Sequence, residues 1–171
     1  NSLIQQVSLR ADFDFLTHVY SRSGLYEALK QEERHRHSRF LTVMLLDIDY
    51  FKSINDNYGH ECGDRVLATF ARQVQQVVCE DGLVARMGGE EFAVVVNTGD
   101  AEHGFNLAER IRVTIANHPF IWRQQTLFLT VSIGLGSGRA GSWQLTEVFN
   151  RLMSEADDYL YRSKKAGRNR T

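Results

Sequence analysis

Residues 40–46, Phe-Leu-Thr-Val-Met-Leu-Leu, form a nearly unbroken apolar run that stops abruptly at Asp47-Ile48-Asp49. A half-exposed strand alternates apolar with polar residues, and an amphipathic helix repeats its apolar residues every three to four. This run does neither, and it reads as a strand buried on both faces. Such a strand needs cover above and below, so the rest of the chain must supply helices around a sheet to which this segment belongs. The two carboxylates at its C-terminal end mark a candidate site.

Ser23 reads as the N-cap of a charged helix running to about His37. Val66, Leu67, Phe70, Ala71, Val74, Val77 and Val78 recur at three- and four-residue intervals, as one buried helix face ending near Cys79. Residues 83–87 and 92–96 are apolar runs flanking Gly88-Gly89-Glu90-Glu91, which predicts a β-hairpin with two carboxylates in its turn. A helix over about 102–117 is stopped by Pro119, the only proline. Leu127, Leu129, Val131, Ile133 and Leu135 then alternate as a half-buried strand, residues 134–141 are Gly-rich and read as a loop, and Leu145, Val148, Phe149, Leu152, Met153, Ala156 and Leu160 share a face of a last helix.

This order, in a chain of 171 residues with 43% hydrophobic content, predicts one domain with one well-buried core. The fold class is α/β (α+β): a ferredoxin-like βαββαβ core with a mostly antiparallel central sheet and surrounding helices. Residues 1–12 are polar with Leu3, Ile4, Val7 and Leu9 on a loose helical period, as a linker helix leading into a domain over 13–171. The chain opens on Asn1 rather than Met, and an upstream sensory or dimerising region is expected.

A net charge of -1 offers no bulk attraction for nucleic acid or a membrane surface, so any phosphate ligand must be bound locally. Cys62 and Cys79 form no CxxC pair and the six histidines no zinc-like spacing, which favours a reducing compartment. No apolar run approaches the roughly 20 residues of a bilayer span. A cytoplasmic domain is expected, with the parent protein open to membrane anchorage.

Asp47 and Asp49 lie two apart on a strand, so the pleat points both to one face, where they could hold Mg²⁺ near a triphosphate. Equally, they could cap the following segment, residues 51–58, and the pair alone leaves both readings open. Glu90 and Glu91 in a tight turn repel each other unless a cation relieves them, and a hairpin packed beside the central strand could bring Glu90 to the same ion as Asp47. Lys52, Lys164 and Arg168 can reach phosphate oxygens, Lys164 and Arg168 lying one helical turn apart. By themselves Arg162, Lys164, Lys165, Arg168 and Arg170 read as a solvated helix end or a weak nucleic-acid patch. Asp64 reads as the N-cap of the helix around Val66, and His60 as structural.

Gly88-Gly89-Glu90-Glu91-Phe92 matches the signature of the GGDEF family in its GG(D/E)EF form. The eighteen residues from Asp47 to Asp64 resemble, without a gap, the family's D-x-D-x-F-K-x-x-N-D-x-x-G-H-x-x-G-D block. Asp14-Phe-Leu-Thr17 with Arg22 resembles its opening motif, Ser21 standing where Asn is usual. Ala156, Asp157, Leu160, Tyr161, Lys164, Gly167, Arg168 and Asn169 resemble its closing element, with Ser163 in place of Ala. The resemblance runs from about Asp14 to Asn169.

It implies a diguanylate cyclase that condenses two GTP into cyclic di-GMP, with release of two pyrophosphates, at the interface of a homodimer. Asp47, the Ile48 carbonyl and Glu90 would bind Mg²⁺ or Mn²⁺, two ions per active site, supported by Glu91. Glu90 or Asp47 would help deprotonate the attacking 3′-hydroxyl. Asn55 and Asp64 would bind guanine, whose N1–H and N2 amine suit a carboxylate as adenine's edge does not. Lys52, Lys164 and Arg168 would stabilise phosphate charge. A degenerate domain that binds nucleotide without turnover is a rival, and intact Asp47, Lys52, Asn55, Asp64, Glu90 and Glu91 argue against it. A nucleic-acid module using the basic C-terminus is a second, disfavoured by the charge balance. Many family members bind a product dimer at an Arg-x-x-Asp motif before the hairpin, and here Cys79 and Gly82 stand at its two positions.

Overall fold

The structure, a computed structural model, describes residues 12–34, 39–141 and 145–171. The linker helix expected over residues 1–12 lies, but for its last residue, outside the described residues. The chain order is β1 (Tyr20–Ser21), α1 (Arg22–Glu32), β2 (Arg39–Ile48), α2 (Phe51–Tyr58), α3 (His60–Val78), a 3₁₀ turn (Cys79–Asp81), β3 (Gly82–Gly88), β4 (Glu91–Asn97), α4 (Ala101–Asn117), β5 (Pro119–Trp122), β6 (Gln125–Phe128), β7 (Val131–Ala140) and α5 (Leu145–Lys165).

β2, which carries the apolar run, lies between β4 and β7, antiparallel to both. The sheet order is β1-β3-β4-β2-β7, with only β1 parallel to its neighbour β3. Taken without β1, the four long strands and the helices between them follow the expected ferredoxin-like βαββαβ plan. The pleat divides β2 between two cores. Met44, Leu46 and Ile48 pack with α2, α3 and α4. Leu41, Val43 and Leu45 pack with α1 and α5 on the other face. Thr42, the polar residue inside the run, is fully buried, its hydroxyl 2.8 Å from that of Thr98 and 2.9 Å from that of Ser137, so no polar atom of its side chain is stranded.

Three local expectations are corrected. α1 is capped by Ser21, not Ser23: the Ser21 hydroxyl accepts from the Gly24 N–H at 3.1 Å, because Tyr20 and Ser21 are held extended against β3 and the helix opens directly after them. The helix also ends at Glu32, short of His37. The single strand expected over residues 127–135 is divided: β5 and β6 form a separate hairpin, whose tip, Arg123 and Gln124, takes left-handed φ values of 45° and 68°, and β7 begins only at Val131. The Gly-rich stretch from Gly134 is not a loop but part of β7, which runs to Ala140.

Those glycines face α5. A Cβ on Gly134 would collide with the Ala156 carbonyl and Leu160 backbone, and one on Gly136 with the Leu152 carbonyl, so α5 lies directly on the strand backbone. Among the described residues no helix is long and apolar enough to cross a membrane. Because a methyl group at Gly134 has only backbone to push against, Gly134→Ala is expected to destabilise the domain by about 2–3 kcal/mol and to lower its Tm by about 4–12 °C. Circular dichroism on heating reads this, and an unchanged Tm would mean that α5 does not rest on β7 in this way.

Candidate active site

Strand register assembles the acidic cluster. Asp47, next to last in β2, stands opposite Glu91 of β4 and Ser132 of β7. The turn between β3 and β4, Gly89-Glu90, therefore lies beside the end of the central strand. Gly89 takes φ 41°, and the ladder slips by one residue between Arg86 and Gly88, which bends the turn away from a regular hairpin. Arg86 holds that turn: its Nε donates to the Gly89 carbonyl at 2.9 Å, and its guanidinium pairs with Asp14 at 3.3 Å. Asp14 in turn accepts from the Thr17 N–H and hydroxyl at 2.9 and 2.7 Å. Burial alone would raise the Asp14 carboxyl, but the Thr17 hydrogen bonds and the Arg86 charge together hold it below the usual carboxylate range.

Asp47 is buried and meets the Lys164 ammonium of α5. Burial pushes the Asp47 carboxyl up. Lys164 opposes that shift, and the neighbouring charges of Glu90 and Asp49 add to it. Glu91 is raised likewise, first by burial and then by Asp47 and Asp157, against Lys164 and Arg22. Several carboxylates thus share a single close ammonium, leaving a spot with negative charge still to neutralise.

Asp49 is not left open to solvent. One of its oxygens accepts from the Ser132 hydroxyl at 2.7 Å, the other from the Thr130 hydroxyl at 2.7 Å and the Asn169 N–H at 2.9 Å, so both are engaged within the protein. Nor does it cap α2, whose N-cap position is Tyr50, with φ 56° and no side-chain cap.

One cleft is lined by Asp47, Ile48, Asp49, Tyr50, Phe51, Lys52, Glu90, Lys164 and Arg168. Asp47 and Glu90 therefore converge with the expected cations, Lys52 from α2 and Lys164 from α5, while Glu91 lines a neighbouring cleft that Asp47 and Glu90 share. Arg168 reaches the cleft differently from the expected helical spacing. α5 ends at Lys165, Gly167 turns the chain at φ 123°, and Arg168 sits beyond the helix with φ 62° and its guanidinium 4.9 Å from the Tyr50 ring centroid.

Asn55 and Asp64 lie apart from the carboxylates, where α2 meets α3. Asn55 packs against Gly63, which has room for no Cβ there, and the Asn55 side-chain oxygen is sealed from solvent without a hydrogen-bond partner. A buried acceptor left so is costly unless a ligand donates to it. Asp64 is exposed and is the fifth residue of α3, not its cap: Gly59, at φ 89°, makes the tight connection between the helices and lets α3 begin at His60.

Among the described residues no three His, Cys, Asp or Glu side chains gather into a metal cage. The charge left over around Asp47, Glu90 and Glu91 nevertheless suits Mg²⁺, which takes one or two carboxylates and completes its shell with water and phosphate oxygens. Arg86 and Tyr50 escaped the sequence reading. Arg86 carried a signal, as the one charged residue within the apolar run 83–87. Tyr50 carried none.

The chain matches the family described as diguanylate cyclase, GGDEF domain, over residues 11–170. It is 66% identical to the probable diguanylate cyclase DgcF of Escherichia coli K12 over all of this chain and 54% of that protein. Among solved structures it is similar to the diguanylate cyclase SiaD of Pseudomonas aeruginosa, solved in complex with its activator SiaC, at 30% identity and a TM-score of 0.84 over 99% of this chain and 64% of that one. It is also similar to the coiled coil and GGDEF domain of DgcB from Caulobacter crescentus, solved in complex with c-di-GMP, at 29% identity and a TM-score of 0.82 over 99% and 88% of the two chains. The chain thus spans about half the length of DgcF. With the match running nearly end to end, the chain belongs to the GGDEF domain family of diguanylate cyclases.

Proposed function

We propose that residues 13–171 are a catalytic domain that condenses two GTP molecules into cyclic di-GMP and releases two pyrophosphates. The observation that carries this reading is the convergence of Asp47, Glu90, Lys52, Lys164 and Arg168 on one cleft, with an unpartnered buried Asn55 oxygen between α2 and α3. The reaction is in-line attack of the 3′-oxygen of one GTP on the α-phosphorus of the other. In each of two reciprocal attacks a phosphorus–oxygen bond forms, the bond to pyrophosphate breaks, and the 3′-hydroxyl proton leaves to a carboxylate, so that the second attack closes the ring and releases the second pyrophosphate.

Asp47, the Ile48 carbonyl and Glu90, with Glu91 beside them, would hold Mg²⁺ or Mn²⁺, two ions per site. Bound there, the ions would supply Lewis-acid charge to the attacking and leaving oxygens. The chain's own residues do the rest. Asp47 and Glu90, which line the same cleft, are the carboxylates within reach of the 3′ proton. Lys52, Lys164 and Arg168 offer cationic donors to the triphosphate, and Asn55 with Asp64 reads the guanine edge. One domain presents one GTP, so two copies must face each other for the bonds to form, and a dimerising region upstream would raise the rate by effective concentration. GTP supply places the reaction in the cytoplasm. Incubation at high protein concentration with GTP and Mg²⁺ or Mn²⁺, followed by detection of cyclic di-GMP and pyrophosphate, tests the proposal directly.

Glu90→Gln removes one charge from a turn without emptying a core position. It is expected to lower turnover by about 10²–10³-fold or more, while Tm stays within about 2 °C. Turnover near that of the unaltered chain would refute the site. Asn55→Ala and Asp64→Ala are each expected to weaken GTP by about tenfold and ATP by less than about threefold, and equal losses on calorimetry would point to misfolding instead.

Feedback offers a further check. At the Arg-x-x-Asp positions the chain has Cys79 and Gly82 with Glu80 and Asp81 between them, all in or next to an exposed 3₁₀ turn. These acids repel a dianionic product, and a thiol cannot grip it as a guanidinium does. Cyclic di-GMP is therefore expected to inhibit only by competition with GTP. Initial velocities at several GTP concentrations decide this, and inhibition that saturating GTP cannot overcome would overturn it.

A further inference from the structure

Asp49 is buried at the end of the central strand, and it binds across the chain: one of the three hydrogen bonds to its carboxylate comes from the backbone N–H of Asn169, 120 residues away. That bond fixes the residue next to Arg168. On the other side, the Arg168 N–H donates to the Ser163 carbonyl at 3.0 Å, and just beyond, the Ile133 N–H donates to the Arg170 carbonyl at 2.9 Å. The loop so held is not one the chain would choose. Arg168 and Asn169 both take left-handed φ values, 62° and 46°. Consecutive left-handed residues other than glycine each cost about 1 kcal/mol or more and persist only where the surroundings over-determine them. Tyr50, which follows Asp49 in the chain and is itself left-handed, presents the ring over which the Arg168 guanidinium lies.

We propose that Asp49 is a positioning residue for Arg168. Its carboxylate clamps the backbone at Asn169 while its chain neighbour Tyr50 holds the guanidinium, so that Arg168 meets the triphosphate already ordered. Asp49 touches neither substrate nor metal in this account. A long side chain ordered in advance loses less entropy when it binds phosphate, and that saving appears as affinity. The inference rests on the reading of Arg168 as a phosphate-binding residue, and the experiment separates the two.

The probe is the α,β-methylene analogue of GTP, which cannot lose pyrophosphate, with GMP as the control that lacks the terminal phosphates. Both are titrated calorimetrically with Mg²⁺ into the chain and its variants. Arg168→Ala is expected to weaken the analogue by about tenfold. Asp49→Ala should weaken it similarly and leave GMP within about twofold, while the double variant should bind the analogue no more weakly than Arg168→Ala alone. Asp49→Asn should rescue binding to within about threefold. Its amide oxygen can still accept from Thr130 and Asn169, and its NH₂ can donate to the Ser132 hydroxyl, which accepts as readily as it donates. Where Asp49→Ala does not fold, Asp49→Ser carries the same comparison, since it keeps a polar atom beside Thr130 and Ser132 but is too short to reach Asn169.

An Asp49→Asn loss equal to that of Asp49→Ala would show that charge is what matters, as for a metal ligand, and would overturn the proposal. Losses that add in the double variant, or that fall equally on GMP, would overturn it too. No effect of Arg168→Ala on the analogue would remove the phosphate reading of Arg168 and this proposal with it.

Discussion

Two carboxylates buried side by side at the end of a hydrophobic strand are the constraint to which the rest of this site answers. Neither Asp47 nor Asp49 could sit there uncompensated, since desolvating an unpaired carboxylate costs several kcal/mol. The chain meets the two demands differently. Asp49 is hydrogen-bonded in place by two hydroxyls and a backbone N–H. Asp47 receives the ammonium of Lys164 amid further carboxylates and keeps a raised carboxyl. Two aspartates only two residues apart are thereby compensated in different ways, one by hydrogen bonds and the other by an ion pair.

The hairpin that faces them is held from outside the sheet. Arg86 reaches from β3 to the Gly89 carbonyl and back to Asp14, whose own carboxylate is anchored on Thr17. The acidic turn therefore does not rely on its glycines for its shape; they only permit the conformation that Arg86 selects. The segment leading into the domain and the turn that carries Glu90 are joined by one partly buried ion pair, which is better protected from salt than an exposed pair would be.

The fold was legible where burial writes a period into the sequence. The apolar run of β2, the three-and-four spacing of α3 and the Gly-Gly hairpin all stand as expected, because a residue's face follows from its position in a regular element. What escaped the sequence was set by contacts between distant segments. The glycines of β7 read as a loop because their partner, the backbone of α5, is some twenty residues away in the chain. Ser23 read as the cap, and it is the pairing of Tyr20 and Ser21 with β3 that opens the helix two residues earlier. At the site, Asp47, Glu90, Lys52 and Lys164 were found by residue type and motif. The hydrogen bonds of Asp49 could not be read there, because their donors come from the segment around β7 and from the chain's last residues.

The seam between β7 and α5 has a further consequence. Gly134 and Gly136 offer the helix a surface without side chains, so its height above the sheet is fixed by backbone meeting backbone rather than by the fit of interlocking groups. Side-chain contacts can drift together over evolutionary time, one substitution compensating another, but two main chains in contact have nothing to exchange. Lys164, carried near the end of α5, inherits its reference point from that rigid seam. On the other face of the sheet Phe70, Ile111 and Ile115 meet the strands through interlocking side chains, and there one substitution can still be answered by another.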